Sequence, residues 1–191
     1  MKLLYPLFAL TLLAPMTFAQ HSPMNVVSGE SPIATPKKTA TISDLSWMDQ
    51  NRMEKEVNSI VDLAKSKTGN NIRRDLSDLD TLQRIINDEL VKIDDSEKQQ
   101  ALGIVLGNVM LADFPNTFEW KIYQDDLGRS RALCVKRTSD CLFPVTMLSR
   151  RMEVGLKPDV KKVYNDAIML MEKHLPKLPY DGGIMYKLPR H

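Results

Sequence analysis

The run Ala101 to Phe114, ALGIVLGNVMLADF, has only two strongly polar side chains, Asn108 and Asp113, so a helix formed there has no broad face that belongs in water. Any fold of this chain must therefore surround it. Ser96 is placed to cap this helix, with Gln99 three residues on completing a capping box, and Pro115 stops it. At 14 residues the run is shorter than the roughly 20 needed to cross a bilayer, which predicts a core helix. Gly103 and Gly107 lie four apart on one face. That spacing can pair helices in lipid; in a water-soluble domain it predicts close packing on a sheet or on a neighbouring helix.

A length of 191 residues with 43% hydrophobic and 26% charged side chains predicts one globular domain with a real core. The first 19 residues carry Lys2, the apolar run Leu3 to Leu13, and Thr17-Phe18-Ala19. This matches a secretory signal cleaved after Ala19, so residues 1–19 are expected to be a signal peptide and the mature chain to be soluble and periplasmic or secreted. Residues 20–41 hold three prolines, Pro23, Pro32 and Pro36, and no apolar period, which predicts a disordered arm. Residues 42–176 are expected to form the domain, and 177–191 an irregular tail.

The period of 3.6 predicts a helix through Met53, Val57, Ile60, Val61 and Ala64, capped at Ser43 or Ser46, anchored by Trp47 and ending near Gly69. A second, with Ser77 and Asp80 at its start, carries Leu79, Leu82, Ile86 and Leu90 and closes at Asp94-Asp95. After the buried helix the period becomes two. Phe118, Trp120 and Ile122 alternate with Glu119, Lys121 and Tyr123, then come a turn at Asp125 to Gly128, a return strand Arg131 to Lys136, a turn at 138–140 and a short strand Cys141 to Phe143. Pro144 opens a helix ending at Gly155, and Pro158 a last one through Val160, Tyr164, Ala167, Met171 and Leu175. The expected class is α+β: N-terminal helices and a buried central helix on a small three-stranded antiparallel meander, followed by two C-terminal helices.

Cys134 and Cys141 are the only cysteines. They would face each other across the second turn, and in an exported chain that favours a disulfide over buried thiols or a redox or metal role. Of three histidines, His21, His174 and His191, only His174 falls in a predicted folded element, and no nucleophile motif accompanies it. Met169, Met171 and His174 form the one soft-metal grouping, better explained by methionine as core filler. No metal or cofactor is implied. Asp94-Asp95 and Asp125-Asp126 sit in turns, where Asp bonds its own backbone. Arg150 and Arg151 are candidates for contact with an anion or a partner's acidic group, or else compensate a helix end.

With Lys2 removed, 25 basic residues face 24 acidic ones, which argues against a nucleic-acid binder built on a basic field. From Ser43 to Gln100, 13 acidic residues meet nine basic; from Ala101 onward ten meet 14. Two halves of opposite sign attract within one fold or steer a partner.

The run from Ala101 to Met171 resembles a bacterial family known as domain of unknown function 3806. The resemblance rests on Leu102-Gly103, Leu106-Gly107, Glu119-Trp120, Asp125 or Asp126 with Gly128, Ala132-Leu133, Phe143-Pro144 and Met147 to Gly155 with Arg150-Arg151 and Glu153. It implies an α+β domain and no activity, cofactor or catalytic residue. Without a catalytic constellation, the expected function is non-catalytic binding of another exported protein, as an immunity or inhibitor protein would do. The alternatives are an enzyme whose carboxylates and arginines gather only in the fold, and an envelope protein binding a cell-wall or lipid ligand. A flat patch exposing aromatics would favour the binder, and a deep pocket with convergent charge the enzyme.

Overall fold

A computed structural model describes residues 40–177. The expected signal peptide, nearly all of the expected arm and the expected tail beyond Lys177 lie outside the described residues. All of the described elements fall in one compact unit. These are β1 (Thr41–Asp44), α1 (Trp47–Thr68), α2 (Ser77–Asn87), α3 (Ser96–Asp113), β2 (Phe118–Asp125), β3 (Gly128–Val135), β4 (Cys141–Leu142), α4 (Pro144–Met152), α5 (Val160–Leu170) and a 3-10 turn (Glu172–His174).

α3 is the central helix. Every residue from Ala101 to Gly107 is buried, because α1, α2, α4, α5 and β2 all pack on it. Its cap differs from the expected one. Asp95, not Ser96, stands at the N-cap and accepts from the Lys98 amide at 3.0 Å; Gln99 turns inward, away from any capping box. A longer carboxylate one residue earlier reaches the same orphan amides, so the first turn starts one residue sooner. Gly103 and Gly107 do meet neighbours at close range. A Cβ on Gly103 would fall against the Pro144 carbonyl and 2.6 Å from Val145 Cα; one on Gly107 would fall against the Trp120 ring at Cζ2, and 2.7 Å from its Cη2.

The first two helices show what capping chemistry decides. Ser46 and Asp49 form a reciprocal capping box on α1, and Gly69 closes it at φ +74°, a conformation glycine adopts without penalty. Trp47 anchors nothing: it is 76% exposed. On α2 Ser77 is the first helical residue, not the cap. The fully buried Asp78 instead takes the amides of Arg73 and Arg74 at 2.9 and 2.7 Å. Burial pushes the Asp78 carboxyl above its ordinary value, against the pull of those two amides. α2 ends at Asn87, well short of Asp94-Asp95, because Glu89 enters the left-handed region at φ 53° and the Leu90 amide closes on Ile85.

The sheet has four antiparallel strands in the order β1-β2-β3-β4, where three were expected. β1 pairs Thr41 to Asp44 with Gln124 to Lys121; four residues at the end of a polar, proline-rich run show no periodicity to read. It also takes Thr41 out of the expected arm. β2 and β3 join through a two-residue turn, Asp126-Leu127, whose Asp125 side chain accepts from the Leu127 amide at 2.8 Å while Gly128 takes φ 126°. The return strand thus begins at Gly128, three residues earlier than expected. Cys134 and Cys141 occupy directly opposed positions of β3 and β4 and are joined as a disulfide.

The charge asymmetry is taken up inside the fold. Asp44–Lys121, Asp49–Arg129, Glu56–Arg131, Asp80–Lys161 and Glu89–Lys157 each join an acidic residue before Gln100 to a basic residue after it.

Candidate functional site

Two connections meet beside the start of α3 and leave a groove between them. The first, residues 88–95, leaves α2 through left-handed Glu89 and enters α3 at the Asp95 cap. The second, residues 153–159, begins with a turn in which the Gly155 amide bonds Met152 and the Leu156 amide bonds Arg151, with Gly155 at φ 79°. This is the glycine-closed helix end that normally brings an apolar residue directly after it, and here that residue is Leu156. Asp159 caps α5 through the Lys162 amide at 2.9 Å.

The groove encloses about 530 Å³. Glu89, Val91, Lys92, Ile93 and Asp94 form one wall, Met152, Gly155, Leu156 and Lys157 the other, and buried Ile86 and Gln99 close it from beneath. Two contacts tie the walls together. Lys157 Nζ meets Glu89 Oε1 at 2.6 Å and the Asn87 carbonyl at 3.1 Å; the Lys157 ammonium holds the Glu89 carboxyl below its ordinary value. Ile93 Cδ1 lies 3.6 Å from where a Gly155 side chain would begin. Ile93 and Leu156 are 60% and 59% exposed, and Val154 beside them 70%. Ile93 and Leu156, two large aliphatic side chains exposed on facing walls of the groove, are more than scattered surface residues.

Beneath the lip lies Gln99, fully buried. Its amide nitrogen donates to the Lys92 and Ile93 carbonyls at 2.9 and 3.0 Å, which pins the 88–95 connection onto α3. Its Oε1 has no hydrogen-bond partner. Since more than nine in ten buried polar groups find a partner, such an exception asks for an explanation.

The residues singled out from the sequence go elsewhere. Arg150 and Arg151 are exposed at the end of α4, and the Arg151 guanidinium donates to the Met147 carbonyl of its own helix. Asp95 and Asp125 each serve a local amide. Met169 is 46% exposed while Met171 is buried, and His174 Nε2 meets Asp140 at 2.7 Å beside Lys173. Lys173 foremost, then His174, holds the Asp140 carboxyl below its ordinary value. No group of three or more His, Cys, Asp or Glu suited to a metal occurs among the described residues.

One carboxylate and arginine cluster does form, between α1 and β3. Glu56, its side chain 5% exposed, takes Arg52 Nε at 3.0 Å on one oxygen and Arg131 on the other. Beside it Arg129 meets Asp49 at 2.7 Å; chiefly that guanidinium, and then the Ser46 hydroxyl, lower the Asp49 carboxyl from 3.8 to about 2. Two guanidiniums share Glu56 and a third holds Asp49, so both carboxylates are committed and the cluster ties the hairpin to α1, with Arg52 largely exposed at its edge.

Sequence reasoning missed Gln99, Ile93, Val154 and Leu156 as a group. The signal was partly hidden: Ile93 and Val154 fall inside the helices expected to run to Asp94-Asp95 and to Gly155, and only Leu156, between Gly155 and Pro158, lies in an expected connection.

Residues 78–164 match the family model of the domain of unknown function DUF3806, so the family resemblance read from the sequence holds for these residues, and every residue lining the groove lies inside the match. A crystal structure from Bacteroides thetaiotaomicron VPI-5482 at 1.50 Å is similar in fold, with a TM-score of 0.61 at 16% identity over 69% of this chain and 48% of that one. The chain thus spans about half the length of that protein. No curated protein matches.

Proposed function

We propose that this chain is a non-catalytic binding domain, exported to the periplasm or secreted after cleavage at Ala19, that contacts another exported protein through the groove beside α3. An immunity or inhibitor protein is the concrete form of this reading. The observation that carries it is the pair of exposed aliphatic side chains, Ile93 and Leu156, lining an open groove, since apolar anchors at the centre of a patch carry most of the energy of protein association. The Cys134–Cys141 bridge supports export, because such bonds persist in oxidising compartments. Glu56 is committed to both Arg52 and Arg131, which weighs against its use as an enzyme's free carboxylate.

Affinity capture from the exported fraction, with wild type and Leu156→Asp side by side, tests this. A stoichiometric partner held by wild type and lost by the variant is the expected result. A partner held equally by both, or none at any salt concentration, would overturn the reading.

A further inference from the structure

A second pocket opens between α1, α3 and β2, and we propose that it binds a 2-acetamido pyranose unit of a glycan, the sugar ring stacked on Trp47 and the acetamido group inside. It holds about 410 Å³ and shares no lining residue with the groove, so it stands apart from the reading of the groove as a protein-binding surface. Two of its polar groups are held in place. Trp120 Nε1 donates to Asn108 Oδ1 at 2.9 Å; an indole nitrogen only donates, so the Asn108 amide has one orientation and its Nδ2 is a free donor among the described residues. Arg74 takes φ 62°, in the left-handed region that residues other than glycine rarely enter. The buried Asp78 carboxylate keeps it there by accepting its amide at 2.7 Å. Backbone strain that the surrounding structure enforces in this way gathers at ligand contacts.

Glu54 lines the same pocket, and among the described residues neither its carboxylate nor the Arg74 guanidinium makes an ion pair or a side-chain hydrogen bond. Two donors and one acceptor therefore remain for a ligand, beside the apolar surface of Leu45, Met53 and Val57. Trp47 stands three residues before Gln50 and seven before Glu54, on the face of α1 that lines the pocket, and its indole is largely exposed. These parts together select the ligand. A simple anion would meet Glu54 beside Arg74. An apolar molecule would leave Asn108 and Arg74 unpaired, and a sugar with hydroxyls alone would leave the apolar wall bare. An ordinary peptide segment answers the polar groups and brings no flat C–H face to the exposed indole. An acetamido pyranose uses every part: its C–H face covers the Trp47 ring, its carbonyl accepts from Asn108 Nδ2 or Arg74, its N–H donates to Glu54, and its methyl group rests on Leu45, Met53 and Val57.

Triacetylchitotriose is the probe, titrated into the isotopically labelled protein. The indole N–H signals of Trp47 and Trp120, the only two tryptophans, and the side-chain amide signal of Asn108 are the readout. Saturable shifts of all three are expected. Cellotriose, with the same linkage and a hydroxyl in place of each acetamido group, should bind about tenfold more weakly or less well still. Trp47→Ala and Arg74→Gly should each weaken binding about tenfold. Neither should lower the thermal midpoint, since Trp47 is exposed and glycine takes the left-handed backbone freely. Equal affinity for cellotriose would overturn the acetamido assignment. Equal affinity for N-acetylalanine methylamide would overturn the sugar in favour of a peptide. No shift with triacetylchitotriose up to its solubility limit, or binding that survives both substitutions, would overturn the site.

Discussion

The two ends of α3 solve opposite problems. Around Gly103 and Gly107 the neighbours stand so close that a single methyl group has no place. Two turns earlier, beside Gln99, the same helix faces a cavity and keeps a buried oxygen without a partner. Interiors are packed like crystals, and voids within them are few. A helix able to exclude all space at one end and leave it at the other therefore separates two tasks. The glycine end fixes α4 and β2 against the core, and the Gln99 end is shaped by two connections that only α2 and α4 position.

The largest expected effect is at the filled end. Gly103→Leu puts a side chain into the Pro144 carbonyl and Val145 Cα, backbone atoms that cannot swing aside, so it should cost about 3 kcal/mol or more and in the limit prevent folding. Gly107→Leu meets the ring of Trp120, a side chain, and should cost about 1 to 3 kcal/mol. Urea titration with an unchanged slope reads both. Equal midpoints for the two variants would remove the distinction between a backbone and a side-chain contact, and a rise in either would show that glycine face to be open.

At the other end, Gln99→Leu removes the two bonds that pin the 88–95 connection and also the unpaired oxygen. These oppose each other, so the loss should be only about 1 kcal/mol. A loss matching that of Gly107→Leu would mean that the groove end is packed as tightly as the glycine end.

The charges between the halves should matter less still, and their contribution should fade in acid. Asp49 is held near 2 in the fold against 3.8 ordinarily. A depressed carboxyl gives stability that is present above its unfolded value and is lost as pH falls from about 4 towards 2. Thermal midpoints of wild type and Asp49→Asn should converge across that window; a gap that stays constant would show that Arg129 contributes nothing to the titration. Smallest of all, Leu156→Asp should leave the midpoint unchanged within about 0.5 kcal/mol, since that side chain is largely exposed. A large drop would make Leu156 part of the core.

The filled end was legible in the sequence because its signals are local and redundant. A nearly unbroken apolar run, two glycines one turn apart, Pro115 after α3 and Pro144 at the start of α4 all point to the same packing, and Pro144, read as a helix start, is itself one of the residues Gly103 meets. The class, the helix order and the alternation of Phe118, Trp120 and Ile122 follow from periodicity for the same reason. β1 was not legible, since Thr41–Asp44 acquires its strand character from pairing with Lys121 to Gln124, a contact roughly 80 residues away in the chain. The groove was not legible either. Its residues come from α2, α3, α4 and two connections, and Gln99 fits half of a capping box until Asp95 takes the cap. Arg150 and Arg151 drew attention as an adjacent charged pair, yet they sit on an exposed helix end outside the groove.

Amide hydrogen exchange of the mature protein, alone and with its captured partner bound, tests the division of α3 most directly. Protection should increase at residues 89–95 and 153–157 on binding, while Gly103 to Met110 exchange slowly and identically in both states. Protection gained instead along α1 and at Trp120, with 89–95 and 153–157 unchanged, would contradict it.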